Sequence, residues 1–148
     1  MVNADIAAVF DEVADLLEVQ GANPFRIRAY RNAARTLGEL GRSVAAMSGE
    51  ELDAIPGIGA DLAGKVAEIV ATGSCAQLRS LRQAVPTGIT ELLHLPGLGP
   101  KRVQALHRAL GVHTLDDLRQ AAEQGRIQAG RGFSSTSDLH LLQTVRAR

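Results

Sequence analysis

The 148-residue sequence predicts an all-α protein, and three observations carry that expectation. Alanine and leucine are abundant, which suits close-packed helices. Aromatic residues are scarce (Tyr30, Phe10, Phe25 and Phe133, with no tryptophan), and β-branched runs long enough for strands are missing. Apolar positions recur at helical spacing in one segment after another, and nothing alternates with period two. The length fits one domain or two very small ones, with a core of useful size.

The elements follow in order. Ile6, Phe10, Val13, Leu16 and Leu17 mark a first helix over residues 3–19. Asn23 is placed to cap the next, with Pro24 at its first position, where a missing N–H costs nothing. That helix runs to about residue 37 and buries Ile27, Ala34 and Leu37. Ser48-Gly-Glu-Glu51 reads as a capping box opening a short helix that ends at a Pro-Gly turn. A helix over residues 60–72 follows, closed by Gly73 in the left-handed conformation, and another covers residues 75–83. Residues 86–88 read as a linker between halves. A helix over residues 89–94 then leads into a second Pro-Gly turn. The next helix has Pro100 at its start and Gly111 just past its end. Thr114-Leu-Asp-Asp117 caps one more, which stops near Gly125. Residues 125–137, rich in Gly and Ser, read as loop, and a last helix from Ser137 buries Leu139, Leu142 and Val145.

Several classes are excluded. No apolar run approaches the roughly 18 residues that span a membrane, and no signal segment opens the chain. The single cysteine, Cys75, rules out a disulfide framework and fits a reducing cytosol. His94, His107, His113 and His140 have no metal-ligand spacing. The expectation is a soluble cytoplasmic monomer with no membrane partner.

Net charge is zero, but its distribution is uneven. Asp5, Asp11, Glu12, Asp15 and Glu18 make the first segment acidic. Arg26, Arg28, Arg31 and Arg35 then follow with no acid among them, the last three on one helical face. A second basic stretch holds Arg79, Arg82, Lys101, Arg102 and Arg108, relieved only by Glu91. Local fields of this kind steer a polyanion to a surface even at zero net charge.

The strongest signal is a repeated turn. Ile55-Pro-Gly-Ile-Gly59 returns forty residues later as Leu95-Pro-Gly-Leu-Gly99, each between helical segments. The glycines allow positive φ and a close backbone approach. They aim unpaired N–H groups outward at the start of the second helix, where the dipole adds positive charge, and this makes an anion site. Candidate phosphate contacts are therefore Gly57, Gly59 and Ala60 in the first turn, and Gly97, Gly99, Lys101 and Arg102 in the second. Arg28 and Arg31 are added from the basic helical face. Ile58 and Leu98, between the glycines, point inward.

The form is that of the helix-hairpin-helix motif, and the resemblance widens. "NADIAAVFDEVADLLEVQGANPFRIRAYRNAARTLGEL", followed by the two hairpins, resembles the N-terminus of a family X DNA polymerase, especially the bacterial branch, over residues 3 to about 125. The resemblance implies two small helical subdomains like the N-terminal domain of DNA polymerase beta, here residues 1–85 and 86–148. It implies that the first grips the 5′-phosphate side of a DNA gap and the second the primer-side duplex. It adds Arg26 and Tyr30 as family phosphate contacts. It further implies a monovalent cation, K+ or Na+, on the carbonyls of Asp53, Ile55 and Ile58 and of Leu93, Leu95 and Leu98, with no other cofactor. Bacterial relatives carry a third hairpin, which Arg131-Gly132-Phe133-Ser134 retains only in degenerate form.

Lys65 matches the position of the family's Schiff-base lysine, and lysine is rare here, two residues against fourteen arginines. An uncharged amine could attack the C1′ aldehyde of an opened abasic sugar, with β-elimination following. Asp61, Gln77 and Gly64 depart from the pattern of lyase-active relatives, and an acid at position 61 would raise the lysine pKa. No Asp-x-Asp pair or Gly-Ser-x-Arg signature is present, so polymerase chemistry is not expected from this chain.

Three readings follow. The first is a sequence-independent module for gapped, nicked or abasic DNA, acting at the bacterial nucleoid, with any polymerase or nuclease domain encoded elsewhere. The second is an abasic-site or 5′-deoxyribose-phosphate lyase using Lys65. The third is a helical scaffold for protein partners. The chain fits either a standalone protein or part of a longer polymerase.

Overall fold

The computed structural model describes residues 2–86, 88–95, 98–127 and 143. Pro96 and Gly97 of the second turn, the degenerate hairpin at residues 131–134 and the last expected helix lie outside the described residues, apart from helical Gln143. All regular structure among the described residues is helical. The chain divides into two compact units, Met1–Leu17 with Ala22–Arg82, and Glu18–Gly21 with Gln83–Arg148.

In the first unit, α1 (Asn3–Val19) buries Ile6, Phe10, Val13, Leu16 and Leu17 completely. Asn23 caps α2 (Pro24–Glu39), its Oδ1 accepting from the Phe25 N–H at 2.8 Å. The buried stripe of α2 is Tyr30, Ala33, Ala34 and Leu37, whereas Ile27 is only half-buried. Tyr30 meets Phe10 edge-to-face with ring centroids 5.7 Å apart, which fixes how α2 lies on α1. The chain then makes a 3₁₀ turn at Val44–Ala46 that periodicity does not announce. Its cause is distant in sequence. The Asn3 amide donates to the Arg42 carbonyl at 2.7 Å and accepts from the Val44 N–H at 3.0 Å.

The Ser48 capping box opens α3 (Gly49–Asp53), which packs on α4 (Ala60–Thr72). Gly73 ends α4 in the left-handed region. Then α5 (Ala76–Ala84) buries Leu78 and Leu81, and its Arg82 donates to Glu12 of α1 at 2.8 Å. Cys75 is fully buried just before α5, as a small core residue.

In the second unit, α6 (Ile89–Leu93) and α7 (Pro100–Leu110) pack together. Buried Ile89, Leu92, Leu95, Leu98, Val103 and Leu106 form their shared core. Thr114 Oγ1 accepts from the Asp117 N–H at the start of α8 (Leu115–Glu123). The Asp117 carboxylate accepts from the His113 N–H. Gly88, at the end of the expected linker, is closely packed. A Cβ there would lie 2.0 Å from the His113 carbonyl oxygen, so only glycine fits.

Candidate nucleic-acid interface

The two turns share one hydrogen-bond ladder, forty residues apart. In the first, the N–H of Ile55 donates to Leu52, Ile58 to Ile55 and Ala63 to Gly59. In the second, Leu95 donates to Leu92, Leu98 to Leu95 and Val103 to Gly99. Ile58 and Leu98 are 2% and 4% exposed, each inserted between the helices of its hairpin. The Ile55 and Leu95 carbonyls each accept one of these bonds and keep a second lone pair. Among the described residues no group of three or more His, Cys, Asp or Glu side chains could hold a metal ion. The cation expected on Asp53, Ile55, Ile58, Leu93, Leu95 and Leu98 would draw on carbonyls only.

The two glycines of the first turn have different duties. Gly57 sits at φ +87°, the left-handed region that favours glycine. Gly59 does not share that requirement, contrary to the expectation of positive φ. It lies at φ −86°, ψ −178°, and its counterpart Gly99 at φ −91°, ψ 174°. Both are extended backbone open to any residue. A Cβ on Gly59 or Gly99 would meet nothing within 4 Å. Neither strain nor internal packing calls for glycine there. Both are N-caps without a side-chain hydrogen bond, whereas Asn23, Ser48 and Thr114 cap α2, α3 and α8 with theirs. The result is an open approach to the positive ends of α4 and α7, with Gly59, Ala60 and Gly99 exposed.

The side chains around the first turn are largely committed to one another. Lys65 Nζ donates to Asp61 Oδ1 at 2.9 Å, with the lysine side chain 20% exposed and the aspartate 82%. Burial pulls the Lys65 pKa down, but the Asp61 hydrogen bond, the Tyr30 hydroxyl and the Asp61 charge outweigh it and hold the pKa above its usual value. Tyr30 is itself 4% exposed, in the core rather than on the surface.

The arginine run of α2 has no acids in its own sequence, but α1 supplies them. Arg31 reaches Asp15 at 2.7 Å and Asp11 at 3.6 Å. Arg35 donates to Asn32. Arg79 is held by Glu68 and Arg82 by Glu12. Such exposed pairs contribute about 0–1 kcal/mol each, so they exchange readily. Arg26 and Arg28 are exposed with no ion pair among the described residues. The Arg28 guanidinium stands 5.4 Å over the Phe25 ring, and Phe25 is 74% exposed. Periodicity and motif assign Phe25 no role. Its signal was its position, off the stripe of Tyr30, Ala33 and Leu37 that α2 buries.

At the second turn Lys101 and Arg102 are exposed in the first turn of α7. The described histidines bond locally: His94 Nδ1 lies 2.7 Å from the Thr90 carbonyl and His113 Nδ1 3.1 Å from that of Gly111.

Residues 1–75 match the family described as Helix-hairpin-helix domain. Residues 89–136 match the family described as SAM-like Helix-hairpin-helix tandem. The chain is also similar to the N-terminal part of DNA polymerase/3'-5' exonuclease PolX of Bacillus subtilis (strain 168), 36% identical over 141 residues. That similarity covers 95% of this chain and 24% of the relative, so the chain spans about a quarter of the protein it matches.

Proposed function

Since the chain belongs to the helix-hairpin-helix domain family, we propose that it is a sequence-independent DNA-binding module gripping the phosphate backbone of gapped, nicked or abasic DNA. One observation carries the reading. Gly59 and Gly99 leave open space in front of uncapped helix ends, although neither backbone nor packing requires glycine there. A phosphate oxygen approaching either end meets backbone N–H groups and the positive end of a helix dipole. Such contacts position a protein on nucleic acid without reading bases. A K+ or Na+ ion on the turn carbonyls fits the same role, adding positive charge beside the phosphate.

Phe25 favours an interrupted duplex over an intact one. An exposed ring, flanked by Arg26 and under Arg28, offers a stacking surface to an unpaired base, a contact worth about 1–3 kcal/mol. Lys65 is read as a charged member of the grip. Use as a Schiff-base nucleophile needs its neutral amine, which the Asp61 pair opposes. The Bacillus relative is named for polymerase and exonuclease activities. In this reading the present residues supply the hold on DNA beside such chemistry, as a monomer at the nucleoid.

The test is binding to a one-nucleotide-gap duplex in two unrelated sequences over a salt series. We expect equal affinities for both sequences, a steep fall with salt from counterion release, and weaker binding to intact duplex. Binding that ignores salt, or no binding, would overturn the reading and bring the protein-scaffold alternative forward.

A further inference from the structure

The exposed flank of α7 carries charge that the hairpin alone does not require. Lys101, Gln104 and Arg108 stand at i, i+3 and i+7, on one helical face. They line an open groove of about 380 Å³ together with Ala105 and Ala109. At its far end two donors converge on the turn after α1. The point where a Cβ would stand on Gly21 lies 2.7 Å from Arg108 Nη2 and 3.1 Å from Gln104 Nε2. Neither side chain has a hydrogen-bond or ion-pair partner among the described residues.

The equivalent face of α4 has acids in place of both cations. Forty residues earlier, Lys101, Gln104 and Arg108 correspond to Asp61, Gly64 and Glu68. There the acids are satisfied from within: Asp61 accepts from Lys65, and Glu68 accepts from Arg79 and from the Ala76 N–H. Two helices that share a turn and a hydrogen-bond ladder therefore differ in what they present outward. The face of α4 is neutralised by Lys65 and by Arg79 of α5, and that of α7 offers two unpaired cations and an amide.

We propose that this flank of α7 is a further phosphate-binding track, in which Gln104 and Arg108 take a phosphodiester farther along the strand held at Gly99. The inference rests on the reading of the hairpins as phosphate grips. At 1.5 Å per residue, Lys101 and Arg108 are about 10 Å apart along the helix axis, about three nucleotides of one strand at 3.4 Å each. The occupant follows from charge. Donors and cations without acids call for a polyanion with regularly spaced charges, and the small residues of the groove leave its backbone room to lie close. The second hairpin accordingly supplies the longer hold, because α4 has Asp61 and Glu68, already paired, where α7 offers a continuing strand Lys101 and Arg108.

The test measures affinity of the whole chain for the one-nucleotide-gap duplex across a salt series. Arg108→Ala is expected to flatten the slope of log affinity against log salt by about 0.9, the loss of one duplex phosphate contact. Lys101→Ala should do the same. Arg108→Glu, which copies the charge at Glu68, should weaken binding further. Arg119→Ala serves as control, since Asp116 and Glu123 already hold that guanidinium, and it should leave the slope unchanged. A slope unchanged by Arg108→Ala but flattened by Lys101→Ala overturns the track and leaves the hairpin grip standing. Equal flattening by Arg119→Ala overturns it too, as a bulk charge effect. No salt-sensitive binding by the unaltered protein removes the grip and the track together.

Discussion

Lys65 and Asp61 form an ion pair one turn apart on α4, Nζ to Oδ1 at 2.9 Å, directly behind the first hairpin. The only lysine of the first unit is thereby tied to the residue that stands where the second hairpin has Lys101. With Asp61 exposed, the pair contributes about 0–1 kcal/mol, too little to matter for stability. Its effect is on charge. The amine stays protonated, because the folded pKa lies above the ordinary lysine value. The pair is fully formed below that ordinary value and is lost as pH rises through the raised one.

A protonated Lys65 predicts the outcome of trapping. With a 5′-incised abasic duplex and borohydride at neutral pH, no covalent adduct is expected. Asp61→Asn removes the carboxylate that bonds and charges the amine, and it lowers the Lys65 pKa. Direct titration of the Nζ by NMR checks this. An adduct from the unaltered protein that disappears in Lys65→Ala would establish lyase chemistry instead.

Asn3 closes the first unit by holding residues 42 and 44 from the start of α1. Asn3→Ala leaves the N–H of Val44, a residue 1% exposed, without its acceptor. Loss of that bond is expected to cost about 1–3 kcal/mol. Denaturant unfolding measures it, and a variant as stable as the parent would show that the clasp contributes nothing.

Acid acts on the first hairpin through Glu51. Its carboxylate accepts from the Ser48 N–H at 3.1 Å and from Arg42 at 2.7 Å, and these bonds hold its pKa below the ordinary glutamate value. The capping box is therefore whole above that ordinary value and opens as pH falls through the lowered one. Amide shifts of Ser48 and Glu51 followed by NMR should move in that window. Glu51→Gln, which keeps a hydrogen-bonding side chain without its titration, should abolish the movement. Ser48→Ala should cost about 0.5–2 kcal/mol at neutral pH.

Local chemistry made much of this fold legible in the sequence. The caps at Asn23 and Ser48, the left-handed glycines at 73 and 111 and the inward Ile58 and Leu98 each depend on neighbours within a turn or two. What stayed hidden depends on which helices meet. Arg31 looks free until α1 brings Asp11 and Asp15 to it. The 3₁₀ turn at Val44–Ala46 needs a side chain 41 residues away. The return of Glu18–Gly21 to the second unit has no local mark at all. At the turns themselves the residues were legible but the reason for one glycine was not. Gly57 is set by its φ, whereas Gly59 is set by what its missing Cβ leaves open.

That distinction supplies the most direct test. In Gly59→Ala, Gly99→Ala and the double variant, alanine fits the extended backbone and touches nothing. The unfolded-state gain of about 0.4–1 kcal/mol per site roughly offsets alanine's weaker preference as an N-cap, so thermal unfolding should be almost unchanged. Affinity for gapped DNA should fall. Each blocked contact between a backbone N–H and a charged phosphate is worth about 1.5–3 kcal/mol, roughly tenfold or more in Kd. A folded double variant that binds gapped DNA as tightly as the parent would contradict phosphate binding at these turns.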